Sequence, residues 1–205
     1  MVSGPKGRQG DQRTIRIRAV CKRCNNEWMS EIEQAAQPSL LPIICGREAK
    51  LSKDDLLQIA RWAALKTIIA EHDKPGLSLT PQRDRTQFMR TQEIPEYFKI
   101  FVAHNLSKME LYFLRHANCV ALTREGPIPP LDDTTKNIQV ITFVVGKAVI
   151  QTVCSRSNEL TLTNRAHVKG FHDRCEIWPG LKDEMSFPHR PFLNEESIHS
   201  LATFF

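Results

Sequence analysis

The stretch from Ser52 to Gly76 constrains this chain more than any other. Ser52 followed by Asp55 has the form of a capping box with an acidic third residue, a device that satisfies two free N–H groups at a helix start. Beyond it, Leu56, Leu57, Ile59, Ala60, Trp62, Ala63, Ala64, Leu65, Ile68 and Ile69 occupy most of the circumference of a helix predicted over Lys53–His72. A helix that is apolar nearly all round must be covered on every side, so it belongs in the middle of a core. Arg61 and Lys66 interrupt the run, which is too short and too charged to span a bilayer. Pro75-Gly76 ends it.

Such a helix needs partners, and the flanking sequence supplies them. Upstream, Trp28, Ile32 and Ala35 share one face of a short helix predicted over Asn26–Ala36, with Asn25 as its cap and Pro38 as its stop. Leu40 to Gly46 then reads as an apolar connector. Downstream, Thr80-Pro81 has the form of a cap with proline at the first helical position, opening a helix over Pro81–Arg90 that carries Arg83, Arg85 and Arg90 on a solvated face. After Pro95 the apolar period shortens to two. Strands are predicted over Lys99–Ala103, Glu110–Leu114, Asn118–Thr123, Gln139–Val145 and Ala148–Cys154, with Gly146-Lys147 as a hairpin turn joining the last two. A polar loop from Glu125 to Lys136, a strand near Arg174–Trp178 and a last helix capped by Asn194 complete the chain. Helices followed by an antiparallel sheet predict an α+β fold. With 41% hydrophobic and 25% charged residues the chain has enough apolar material for a core, which excludes global disorder.

Charge is distributed unevenly. The net charge of +5 is concentrated in residues 1–24, where Lys6, Arg8, Arg13, Arg16, Arg18, Lys22 and Arg23 face the single acid Asp11. In RTIRIRAV (13–20), Ile15, Ile17 and Ala19 alternate with Arg16 and Arg18, the pattern of a strand with one buried and one cationic face. A dense positive segment on a near-neutral body suits a polyanion, most simply DNA, with Arg13, Arg16, Arg18, Lys22 and Arg23 as the contacting residues. Residues 1–12 read as a flexible basic lead-in.

Six scattered cysteines do not form a disulfide framework, and the N-terminus has no apolar signal region, so a reducing, cytoplasmic setting is expected. Cys21 and Cys24 stand two residues apart, and three readings follow: one edge of a tetrahedral zinc site, a redox pair, or two thiols that bind nothing. The arginine-rich strand before them disfavours the redox reading, because that motif normally follows a buried apolar strand. His172 and Cys175 have a spacing that would complete a zinc site with them. Cys45 and Cys119 sit in apolar runs and read as core residues. His104 and His116 read as surface or edge histidines, and His72 as a cation at a helix end. Asp132-Asp133 and Glu195-Glu196 read as solvated or capping pairs.

The segment from Val20 to Glu33, VCKRCNNEWMSEIE, resembles the second half of an HNH-type endonuclease module, in a branch where CxxCNNxWMSxLE precedes an α+β extension. Ile59–Thr67, Thr142–Gly146 with Gln151, and Ile177-Trp178-Pro179 extend the similarity over most of the chain. The resemblance implies a bacterial or phage protein with Cys21 and Cys24 as structural zinc ligands, Asn25 as a ligand of a catalytic Mg or Mn ion, and Trp28 and Ile32 docking the module's helix. It divides the chain into a lead-in (1–12), a partial HNH-like knuckle module (13–38) and an α+β domain (39–205). The family pattern also has a first CxxC and a Glu-His pair upstream, whereas the first histidine here is His72 and no cysteine precedes Cys21. The expectation is therefore a truncated or degenerate module that binds nucleic acid and does not cleave it alone. The competing expectation is a non-catalytic, protein-binding factor of a phage or mobile element, for example an inhibitor of a host defence system.

Overall fold

The computed structural model describes residues 20–73, 78–118, 137–156 and 170–202. Residues 13–19 of the strand expected over 13–20, the segments 119–123 and 125–136, Asp132-Asp133 and Cys119 lie outside them. The fold is α+β: helices pack on both faces of a six-stranded sheet.

The capping box forms as expected. Ser52 Oγ accepts from the Asp55 N–H at 3.2 Å, and the Asp55 carboxylate accepts from the Ser52 N–H at 2.9 Å. It opens α3 (Lys53–Ala70), which follows α1 (Lys22–Asn26), α2 (Trp28–Ile44) and the short strand β1 (Ala49–Ser52). From Asp55 to Ala70 no residue of α3 is exposed, so it is the central helix that its composition predicted. A one-turn 3₁₀ segment, Glu71–Asp73, extends it.

Pro38 does not stop the preceding helix. α2 runs through both Pro38 and Pro42, and the expected connector 40–46 is largely its last turn. A proline inside a helix costs about 3 kcal/mol. Against that, α2 buries Met29, Ile32, Ala36, Leu40 and Ile43 along α3, and each large side chain contributes roughly 1.5–3 kcal/mol. Packing therefore outweighs the proline penalty. Two polar clamps, Glu33 with Lys66 and Ser39 with Asp55, join the same two helices. The boundary drawn at residues 38/39 falls inside this helix. Cys45 lies just past its end and is exposed, not core, because Ile43 takes the inward position.

The expected helix after Thr80 is α4 (Gln82–Thr91), but Thr80 does not cap it. Pro81 holds the cap position, because both the N–H and the hydroxyl of Thr80 are used elsewhere. The sheet comprises β2 (Phe98–Asn105), β3 (Leu111–Asn118), β4 (Ile138–Val145), β5 (Ala148–Ser155), β6 (Glu176–Trp178) and β8 (Phe192–Leu193). Its order is β3-β4-β5-β2-β6, with β8 sharing the outer edge of β2. All pairs are antiparallel except β2 with β8. The β4–β5 hairpin turns on Gly146-Lys147 as expected, with Gly146 at φ +56°. A side chain there would also strike the Ile44 carbonyl oxygen, so glycine is required twice over.

Alternation along the strands builds two cores. Ile100, Val102, Ile150 and Cys154 face α2 and α3, while Phe101, Ala103, Val149 and Val153 face the other way. The second face is covered by α5 (Phe171–Cys175) and α6 (Glu195–Ala202). α5 takes the first part of the strand expected near Arg174, leaving β6 to begin at Glu176. Asn194 caps α6 as predicted, accepting from the Ser197 N–H at 2.8 Å, and Glu195 and Glu196 occupy its first turn. Buried Gln151 donates to the Leu201 carbonyl at the far end of that helix. β7 (Glu184–Phe187) pairs with β1 in a separate two-stranded sheet. No helix among the described residues is long and apolar enough to cross a membrane.

Candidate functional site

The cysteine pair lies on the single turn of α1. Cys21 is at its cap position, and its Sγ accepts the Cys24 N–H at 3.3 Å. That N–H, with other backbone donors of the turn, holds the Cys21 thiol below its usual range. Cys21 is exposed, while Cys24 is half-buried against the core. Lys22 and Arg23 point outward between them. Arg23 Nε meets both carboxylate oxygens of Glu27 at 3.1 Å, so part of its charge is balanced locally.

Asn25 is not the cap of the following helix. It lies within α1, and Glu27 precedes Trp28 at the start of α2, because the chain makes one helical turn before it redirects. The Asn25 amide is exposed and donates to Asn26 Oδ1 at 3.4 Å. Trp28 and Ile32 do dock inward, Trp28 edge-on to Phe88 at 6.2 Å. Arg13, Arg16 and Arg18 lie outside the described residues.

Two thiols on one turn supply two of the four donors of a structural zinc ion. Among the described residues, no group of three or more His, Cys, Asp or Glu side chains stands together in a way that holds a metal. His172 and Cys175 therefore do not join the pair. Cys175 is fully buried in the opposite core, where its thiol is pushed up to about 12. The donors present fit half a zinc site, and no other metal-ligating group stands with Asn25 among the described residues.

A second polar centre was not visible in the sequence. Glu71, just past α3, is fully buried. Its carboxylate accepts from the Leu79 and Thr80 N–H groups at 3.2 and 3.1 Å, the Ser78 and Thr80 hydroxyls at 2.9 and 3.0 Å, and Gln139 Nε2 at 2.9 Å. Arg85 Nη2 completes the shell at 2.8 Å. Arg85 also donates to His72 Nε2 at 3.1 Å and the Thr80 carbonyl at 3.0 Å, so it is not on a solvated face. His72 is consequently no helix-end cation: burial, then the Arg85 charge, lowers its pKa. Arg115 donates to Gln139 Oε1 at 3.1 Å, extending the network onto β3. With its carboxylate met on all sides by described donors, this centre holds the 78–80 segment and α4 against the sheet.

His104 is likewise not an edge residue. It sits between β5 and β8, edge-on to Phe187 and Phe192 at 5.3 and 5.6 Å. His116 falls on β3, opposite Val140. On the α5 face, a cavity of about 380 Å³ is lined by Lys99, Phe101, His172, Asp173, Glu176, Gly180 and Lys182. It adjoins a register shift between β2 and β6 at Ile100/Phe101.

No protein-family model, curated protein or solved structure matches this chain at a significant level.

Proposed function

We propose that this chain is an HNH-endonuclease-like nucleic-acid-binding protein that does not hydrolyse phosphodiesters by itself. The observation that carries the reading is the α1 turn. One exposed helical turn presents two thiols, with a backbone N–H aimed at the first sulfur, and Lys22 and Arg23 outward between them. The Trp28–Ile32 face anchors that turn to the core. The turn offers two of a zinc knuckle's four donors next to a cationic surface, continued in sequence by Arg13, Arg16 and Arg18. When bound, zinc would cross-link the turn to donors beyond the two thiols and stiffen it. Residues 1–20 contain no histidine to act as a general base beside the turn.

Fluorescence anisotropy on duplex DNA tests the binding. Affinity should fall steeply and linearly on a log–log plot against salt, and Arg16→Ala with Arg18→Ala should weaken it equally on unrelated sequences. Salt-independent binding, or none at low salt, overturns the proposal. Metal analysis of the same protein should find zinc that is lost in Cys21→Ser, and a plasmid assay with Mg²⁺ or Mn²⁺ should show no cleavage.

A further inference from the structure

The cavity beside α5 has an unusual charge layout. Lys99 on β2 is half-buried and makes no hydrogen bond or ion pair among the described residues. An anion entering the cavity meets an ammonium that no described carboxylate already holds. Lys182 donates one proton to the Arg174 carbonyl, which leaves two for a ligand. Glu176 also lines the space, with its Oε1 accepting the Gly180 N–H at 3.1 Å. Gly180 permits that approach, because a side chain there would collide with the Glu176 carboxylate. Asp173 is exposed at the mouth. His172 stands edge-on to Phe101 and Phe171 at 5.1 and 5.5 Å. Burial is the largest influence on its pKa and lowers it; Asp173 opposes this and Lys99 adds to it.

Neither carboxylate forms an ion pair with either lysine among the described residues, so the cavity holds separated positive and negative groups. A bare anion engages only the lysines and makes no use of Asp173. A ligand with an anionic end and hydroxyl donors at a distance satisfies both. We propose that this cavity binds a sugar phosphate of the nucleoside monophosphate class, with the phosphate on Lys99 and Lys182 and the sugar hydroxyls on Asp173. Its volume of about 380 Å³ lies within the small-ligand range. None of its lining residues belongs to α1 or α2, so the inference is independent of the DNA-binding reading.

Calorimetric titration of the intact chain tests it, with AMP, ribose 5-phosphate and inorganic phosphate as probes. AMP and ribose 5-phosphate should bind saturably, and phosphate more weakly. Lys99→Ala should weaken AMP by about tenfold or more, with Lys99→Arg retaining it. Asp173→Asn should remove the advantage of AMP over phosphate. A 5′-phosphorylated oligonucleotide that displaces AMP, where its 5′-hydroxyl form does not, assigns the site to a strand end; failure of both to displace it assigns the site to a free nucleotide. No saturable binding of either sugar phosphate, or equal binding by a folded Lys99→Ala protein, overturns the proposal.

Discussion

The α1 turn and the Glu71 centre are built in opposite ways. On the Cys21 turn the side-chain bonds reach one to four residues along the chain, and the groups are mostly exposed. Around Glu71 the donors come from seven, eight, nine, fourteen and sixty-eight residues away, and the carboxylate is sealed from solvent. Exposed charges are screened and contribute little to stability. A buried charge is costly unless every lone pair is met, and costlier still once a partner is removed. The first arrangement leaves a surface free for chemistry; the second closes the interior around α3, α4 and the sheet.

The largest effect that would test this contrast is at Glu71. Glu71→Ala strands the Arg85 guanidinium, only 16% exposed, together with the buried donors of Thr80 and Gln139. A loss of about 3–5 kcal/mol is expected, read as a lower urea midpoint. Glu71→Gln should cost less, because its amide oxygen still accepts from Thr80. If Glu71→Ala costs no more than an ordinary surface substitution, the centre is not the lock its geometry describes.

What could be read from the sequence follows the same division. The Ser52–Asp55 box, the helix behind it, the Gly146-Lys147 turn and the Asn194 cap each depend on residues close in the chain, and each formed as predicted. Pro38 misled because burial against α3, a tertiary effect, outweighs a local penalty. Thr80 misled because a buried carboxylate nine residues back competes for its donors more strongly than the helix does. Lys99 gave no signal at all: its place in a cavity depends on β6 and α5, some seventy residues later. For the candidate site, the two thiols and the basic residues between them were legible, whereas their exposure and the position of Asn25 inside α1 were not.

Histidines give the contrast a pH dependence. His104 has its Nδ1 buried without a hydrogen-bond partner among the described residues, faces Phe187 and Phe192, and lies near Lys147. Burial, then Lys147, lowers its pKa; burial, then Lys182, does the same at His189. His72 is lowered by burial and Arg85. In each case folding favours the neutral ring. The stability they support is therefore complete above the unfolded value of about 6.5 and is lost as pH falls through the lower folded values. The melting temperature should drop on acidification below that point, and His104→Phe, which keeps the ring packing, should reduce the drop. A variant whose pH profile overlays the parent's rules out His104 as a contributor.

The smallest effect on stability belongs to α1. The Arg23–Glu27 pair is widely exposed, with side chains 83% and 57% accessible. It also runs basic-to-acidic along the helix, the weaker orientation for an i,i+4 pair. Lys22→Ala with Arg23→Ala should leave the urea midpoint unchanged, while the slope of log affinity against log salt becomes shallower on DNA. The two readouts separate a surface kept for charge from one kept for folding. A fall in midpoint with an unchanged slope would place α1 with the Glu71 centre, as a structural element, and would remove the turn from any role in binding.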